Sequence, residues 1–221
     1  MPLVLHKTDG SPPVRAVLMT IDILKLKVEF VEVNTLAGET RRPEYVAKNP
    51  MHTVPLLEDG NFTLADSHAI ITYLVSKYGG EKRAELYPND FSTRATIDQR
   101  LYFDAAVLFP RLISILRPVF RDKATGPTAQ QIEDVKEGYG MLERYLQKSE
   151  YLVGSTITLA DISLAATVST LNVIVPLTEE FPKTIQWLNN LKGTDFYKKA
   201  NEPGLTKITE FYNLSIKNNS S

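Results

Sequence analysis

Two apolar spacings divide the chain. Over about the first 80 residues, short runs that alternate apolar with polar are interleaved with stretches where apolar residues recur every three or four positions. Residues 3–6 and 28–33 read as strands; in the second, Val28, Phe30, Val31 and Val33 are set against Glu29 and Glu32. Residues 54–57 and 62–64 read as two more, with Glu58-Asp59-Gly60-Asn61 as the hairpin turn. Val14, Val17, Leu18, Ile21 and Leu24 predict a helix over 13–26, opened by Pro12-Pro13 where a missing N–H costs least. A short irregular helix is expected over Pro43–Lys48, and Ile70, Ile71, Leu74 and Val75 predict another over 66–78. The order is β-α-β, a short helix, then β-β-α. A βαβ unit requires its two strands to pair in parallel.

The texture changes near residue 80. Gly79-Gly80-Glu81-Lys82-Arg83 opens a polar linker that runs to about Asp90. Beyond it the spacing predicts helices over 91–120, 128–149, 158–174 and 182–191, and no convincing strand. The expected organisation is an α/β domain over 1–80, a linker over 81–90 and an all-helical domain over 91–221, whose last residues, 218–221, form a frayed polar tail. Within the helical part, Thr158-Leu159-Ala160-Asp161 reads as a capping box, with Asp at the third helical position and Ile157 and Ile162 as a hydrophobic staple. That is a structural device and carries no chemistry.

Composition narrows the chemistry. The 221 residues contain no cysteine, which excludes disulfides, cysteine metal sites and a cysteine nucleophile. The three histidines, His6, His52 and His68, lack metal-ligand spacing, so no metal is expected. A net charge of −1 provides no field to gather nucleic acid or an anionic membrane, and neither is expected as a partner. The apolar run at the N-terminus is too short for a signal peptide, and no stretch is long enough to span a bilayer. The cytosol is the expected compartment, and the sequons at Asn61, Asn213 and Asn218 then have no role.

Three short segments carry candidate chemistry. The loop Thr8-Asp9-Gly10-Ser11 joins the first strand to the first helix, so Ser11 stands at the positive end of a helix dipole. It reads either as an N-cap or as a donor to an anion. In Asn49-Pro50-Met51-His52-Thr53-Val54-Pro55, a strand is entered through a proline, which removes a ladder donor. That segment is either an ordinary edge or a place where Val54 offers its backbone to an extended peptide, next to a cis Val54–Pro55 bond. Asp66 and Ser67 open the helix after the fourth strand, either as a cap or as a carboxylate and hydroxyl facing the two charges of an amino acid.

Taken together, Ser11-Pro12-Pro13-Val14-Arg15-Ala16, Asn49 to Pro55 and Asp66-Ser67-His68-Ala69-Ile70 resemble the thioredoxin-like domain of cytosolic glutathione transferases. The arthropod epsilon class is the most similar and the delta class next. Ile157 to Asp161 and Val175-Pro176-Leu177 extend the resemblance over nearly the whole chain. The resemblance implies conjugation of the glutathione thiolate to hydrophobic electrophiles, as in insecticide or other xenobiotic detoxification, with peroxidase and dehydrochlorinase activity as variants. A non-catalytic carrier of steroids or haem is the alternative.

Glutathione is then the co-substrate. Ser11 is expected to donate a hydrogen bond to its sulfur. His52 is placed at its glycine end, Val54 with Pro55 at the cysteinyl unit, and Asp66, Ser67 and His68 at the γ-glutamyl end, with Thr53 also among the binding residues. Two positions depart from the family pattern. Met51 stands where glutamine is frequent, and Thr40 where some members carry histidine, which points to Arg41 or Arg42 for the glycine carboxylate. The electrophile is expected between Ser11 and the helical domain, against Leu108, Phe109, Arg111, Leu112, Ile115, Leu116, Val119, Phe120, Leu205 and Ile208. Arg111, a charge beside an apolar stripe, requires a partner or a ligand. The resemblance also implies a homodimer built on the 66–78 helix and the helix that starts at Phe91.

Overall fold

A computed structural model of the chain describes residues 2–220. Its sheet has four strands in the order β2-β1-β3-β4: β1 is Leu3–Lys7, β2 Val28–Glu32, β3 Leu56–Asp59 and β4 Phe62–Ala65. β1 pairs in parallel with β2, as a βαβ unit requires, and antiparallel with β3, which pairs antiparallel with β4. β3 starts two residues later than the apolar run suggested. Pro55 has no N–H to give the ladder, and the register with β1 opens at His6–Leu56.

Helix α1 (Pro12–Leu24), α2 (Pro43–Lys48) and α3 (Ser67–Tyr78) complete the α/β part. Leu5, Val17, Met19, Ile70, Ile71 and Leu74 form its core, all fully buried. The stretch expected to be a plain linker contains a short helix, α4 (Lys82–Leu86).

The helical part comprises α5 (Phe91–Phe103), α6 (Phe109–Arg121), α7 (Ala129–Leu146), α8 (Leu159–Ile174), α9 (Pro182–Lys192), α10 (Asp195–Ala200) and α11 (Glu202–Asn219). A single helix was expected over 91–120. A wide π turn at Asp104–Leu108 separates α5 from α6, and the Phe109 N–H reaches back five residues to the Asp104 carbonyl. Pro110 is the cause. It has no N–H for the Ala106 carbonyl, and its ring crowds that carbonyl in a regular helix. α10 and α11 were not foreseen. In place of a frayed tail, residues 218 and 219 are helical, and the Asn219 amide donates to the Val119 and Ala124 carbonyls (2.9 and 2.8 Å). Ser221 lies outside the described residues. No helix among the described residues is long and apolar enough to cross a membrane.

The capping box at Thr158 forms, and its carboxylate does more than cap. Asp161 is fully buried. It accepts from the Thr158 N–H and hydroxyl (2.9 and 3.0 Å), the Leu152 N–H (2.9 Å) and the Trp187 indole N–H (2.9 Å). It thus ties α8 to α9 and to the loop before α8. Burial pushes its pKa up even so. Replacing Asp161 with Ala strands three buried N–H groups. The expected loss is about 3–5 kcal/mol in urea unfolding, and a loss below about 1 kcal/mol would show the network to be dispensable.

Candidate active site

Sheet register brings the three candidate segments together. His6 in β1 faces Leu56 in β3, and Leu56 faces Ala65 in β4. The residues that follow β1, precede β3 and follow β4 therefore emerge at one end of the sheet. Those residues are the 8–11 loop, Val54-Pro55 and Asp66-Ser67. The N-termini of α1 and α3 open at the same end, and both favour negative charge there.

Ser11 is the N-cap of α1, but its hydroxyl makes no capping hydrogen bond. Its N–H is spent on Thr8 O (3.0 Å) and its carbonyl on the Arg15 N–H (3.0 Å). Pro12 and Pro13 remove two of the first-turn amides, leaving Val14 as the one N–H without an intrahelical acceptor. An anion at this helix end accordingly has one amide and one uncommitted hydroxyl to meet.

The second segment is shaped by Asn49, which sequence reasoning quoted but gave no role. Its buried amide donates to Thr53 O (2.9 Å) and accepts from the Met51 N–H (3.0 Å), while its carbonyl accepts from His52 N–H (2.9 Å). Tyr45 hydroxyl adds a second bond to Thr53 O (2.7 Å). The Asn-Pro pair, a turn initiator, was the signal available. His52 is exposed with φ of 46°, a left-handed conformation uncommon outside glycine. The Val54–Pro55 bond is cis. Val54 precedes the β3 ladder, so its N–H and carbonyl lie outside the sheet pairing. Of the two arginines nearby, Arg42 pairs with Glu39 (3.1 Å), whereas Arg41 is exposed and has no ion pair among the described residues.

Asp66 caps α3, accepting from the His68 and Ala69 N–H groups (2.8 and 3.1 Å). It does so at φ 73°, ψ 122°, a strained backbone for a residue other than glycine. One carboxylate oxygen makes both bonds, and half of the side chain remains exposed. Ser67 beside it is buried. His68, expected beside the γ-glutamyl end, is partnered within the protein. Both ring nitrogens face carboxylates: Nδ1 lies 3.3 Å from Asp66 and Nε2 3.2 Å from Asp104 in the π turn. Ser163 on α8 donates to the same Asp104 oxygen (2.6 Å). Two acceptors require two ring N–H donors, which only the imidazolium has. Burial pushes the His68 pKa down, but Asp104 and Asp66 outweigh it and carry it to about 9. Neither Asp104 nor Ser163 was visible as part of the site in the sequence.

Comparison with known proteins accords with this geometry. Residues 5–82 match the family model for the glutathione S-transferase N-terminal domain, and residues 109–194 the one for the C-terminal domain. Glutathione S-transferase 1 of Manduca sexta is 45% identical over 92% of this chain and 94% of its own length. The chain belongs to the glutathione S-transferase family. Among solved structures, an epsilon-class glutathione S-transferase from the housefly superposes with a TM-score of 0.93 at 42% identity, covering 96% of this chain and 98% of that one. A glutathione transferase homologue from Drosophila mojavensis, solved with bound glutathione, gives 0.91 at 37% identity, with 99% and 97% covered.

The apolar stripe expected to border an electrophile divides. Leu108, Leu112, Ile115, Leu116 and Val119 are buried in the core and hold α6 against its neighbours. Phe109, Phe120, Leu205 and Ile208 are only partly buried, and Phe120 packs on Phe211 with ring centres 4.7 Å apart. Arg111 pairs through Nη2 with Glu137 on α7 (2.5 Å), while its buried Nη1 has no hydrogen-bond partner among the described residues. A cavity of about 610 Å³ lies elsewhere, between α1, β2 and the start of α11, and its wall does not include Ser11.

The His68 ion pairs make stability depend on pH. The folded pKa lies above the unfolded value near 6.5, so the contribution is complete below pH 6.5 and is lost as pH rises through about 9. Its size is of order 2–3 kcal/mol. Urea unfolding between pH 6 and 9.5 is expected to show that decline and to lose it in His68→Asn. A variant that keeps the slope would place its origin at another group.

Proposed function

We propose that this transferase binds glutathione along the sheet end, with Ser11 as the donor that holds its thiolate. The uncommitted Ser11 hydroxyl carries the reading, because two prolines have withdrawn the amides that would otherwise do the work. A free thiol with pKa near 8.5 is only a few per cent ionised at pH 7. A helix N-terminus and a hydroxyl donor lower that value, and a fall of about two units is worth ~2.7 kcal/mol. Ser11 is then a donor to a borrowed sulfur and not itself a nucleophile. The chemical step is thiolate attack on an electrophilic carbon, helped by holding both reactants together.

The remaining glutathione contacts follow from groups left unpaired. The Val54 backbone suits the cysteinyl unit as an added strand would. The outward Asp66 oxygen and the α3 N-terminus beside Ser67 suit the ammonium and carboxylate of the γ-glutamyl end. Exposed Arg41 and His52 suit the glycine carboxylate. Pro55 and Thr53 shape the turn, and His68 braces Asp66. The partly buried Phe109, Phe120, Leu205 and Ile208 favour an apolar electrophile, in keeping with xenobiotic detoxification. Ser11→Ala is expected to lower kcat/KM for a chlorodinitrobenzene-type substrate by about 100-fold and to weaken the thiolate absorbance of bound glutathione. Unchanged turnover would remove Ser11 from the chemistry.

A homodimer is part of the same proposal. Phe91 and Tyr102 are 89% and 69% exposed and stand about three helical turns apart on one face of α5. Phe62 and Met51 are exposed apolar residues of the α/β part. Sedimentation is expected to give twice the 24.8 kDa chain mass, and Phe91→Asp with Tyr102→Glu to give the single-chain mass. A wild-type monomer would refute the dimer.

A further inference from the structure

The loop that carries Ser11 is held from two sides. On one side Val33, just after β2, grips it: its N–H donates to Lys7 O (2.8 Å), and the Thr8 hydroxyl donates to Val33 O. On the other stands the first part of α11, nearly 200 residues later in the chain. Gly204, the third residue of α11, is buried against it. A Cβ placed there would lie 2.1 Å from the Asp9 carbonyl oxygen and 2.7 Å from Arg15 Cδ. No side chain fits without displacing the loop backbone. Glycine is otherwise a poor choice within a helix, so this contact accounts for its presence.

Two further contacts continue along the same face of α11. Lys207, three positions on, reaches the Asp9 carboxylate at 2.5 Å, which Lys7 of β1 also pairs. Ile208, four positions on, backs Gly10, where a Cβ would sit 3.5 Å from Ile208 Cβ. Spacings of three and four put Gly204, Lys207 and Ile208 on one helix face. That face meets the Asp9 carbonyl, the Asp9 carboxylate and Gly10 in turn.

We infer that Gly204 and Lys207 are positioning residues for Ser11, the start of α11 forming the back wall of the catalytic loop. The inference rests on Ser11 being the thiolate donor. Gly204 sets how deep the loop lies, and hence where the Ser11 hydroxyl meets the sulfur. Lys207 has a second effect. Asp9 is an anion two residues before Ser11, and its charge opposes a thiolate nearby. Lys7 and Lys207 neutralise it, and the other charged groups around it are Glu32 on Lys7, Arg15 and Asp22 of α1, Lys25 just after α1, and Lys199 of α10. The Lys207 side chain is 63% exposed, so its pair with Asp9 adds little to stability. Its role is read in the site and not in the melting temperature.

The experiment compares Gly204→Ala, Lys207→Gln, Lys207→Arg and Ser11→Ala for kcat, both KM values, thermal midpoint and the pH midpoint of bound-glutathione ionisation, followed by thiolate absorbance. Gly204→Ala is expected to lower kcat by about 10- to 100-fold and to raise the ionisation midpoint. Lys207→Gln, at an exposed position that tolerates change, is expected to raise that midpoint by a fraction of a unit with the thermal midpoint unmoved, and Lys207→Arg to restore it. If Gly204→Ala fails to fold, the Lys207 pair decides alone. Melting temperatures that fall while the ionisation midpoint and kcat stay at wild-type values would overturn the inference, provided Ser11→Ala is inactive. A fully active Ser11→Ala would overturn the reading of Ser11 itself.

Discussion

Arg15 is buried completely, one turn beyond Ser11, and no carboxylate lies within ion-pair distance of it among the described residues. Its guanidinium leaves α1 and enters the helical part of the molecule. There it donates to the Ala166 carbonyl (3.1 Å), the Ser169 and Thr170 hydroxyls and the Asn201 amide oxygen (2.5 Å). Burial lowers its pKa to about 9, which still leaves the group charged at neutral pH. A cation removed from water at a cost of several kcal/mol holds its place only if oriented dipoles replace the water. Those dipoles come from α8 and from the residue between α10 and α11. The charge therefore dictates how α1 sits against the helical domain, and a site at the tip of α1 inherits that placement.

Proline shapes the same region by what it withholds. Pro12 and Pro13 take amides from the α1 N-terminus and make the Ser11 hydroxyl the main donor there. Pro55 keeps Val54 out of the β3 ladder and leaves a strand-like backbone unpaired at the sheet end. Pro110 opens the π turn, and with it the position from which Asp104 meets His68. In each case a missing N–H redirects a hydrogen bond toward the site or toward the residues that brace it.

Much of this was legible in the sequence because it is local. The second strand, ending at Glu32 one residue short of the expected bound, the hairpin turn, confined to Gly60-Asn61 within the four residues expected, the Thr158–Asp161 box and the order of the three site segments all depend on near neighbours. What was not legible depends on partners far along the chain. Nothing near His68 says that its second carboxylate lies 36 residues away, and nothing near Arg111 names Glu137. An apolar stripe on α6 has the same pattern whether it fills a core, as Leu112 and Ile115 do, or borders a cleft, as Phe109 and Phe120 do. α11 was missed because it opens with Pro203-Gly204, a pair that reads as a turn.

That misreading is itself informative. A glycine at the third position of a long helix weakens the local signal for the helix, and here the weakening has a cause outside the helix, the Asp9 carbonyl packed against it. Arg15 and Gly204 thus bear on the loop that carries Ser11, one through a charge that fixes α1 and one through a side chain that is absent. Both are supplied or answered by the helical domain. The α/β part holds the Ser11, Val54 and Asp66 segments, and the helical part packs against the loop that leads to Ser11. With Ser11 as the proposed thiolate donor, changes of sequence in α8 or α11 reach the sulfur without touching any residue that contacts it.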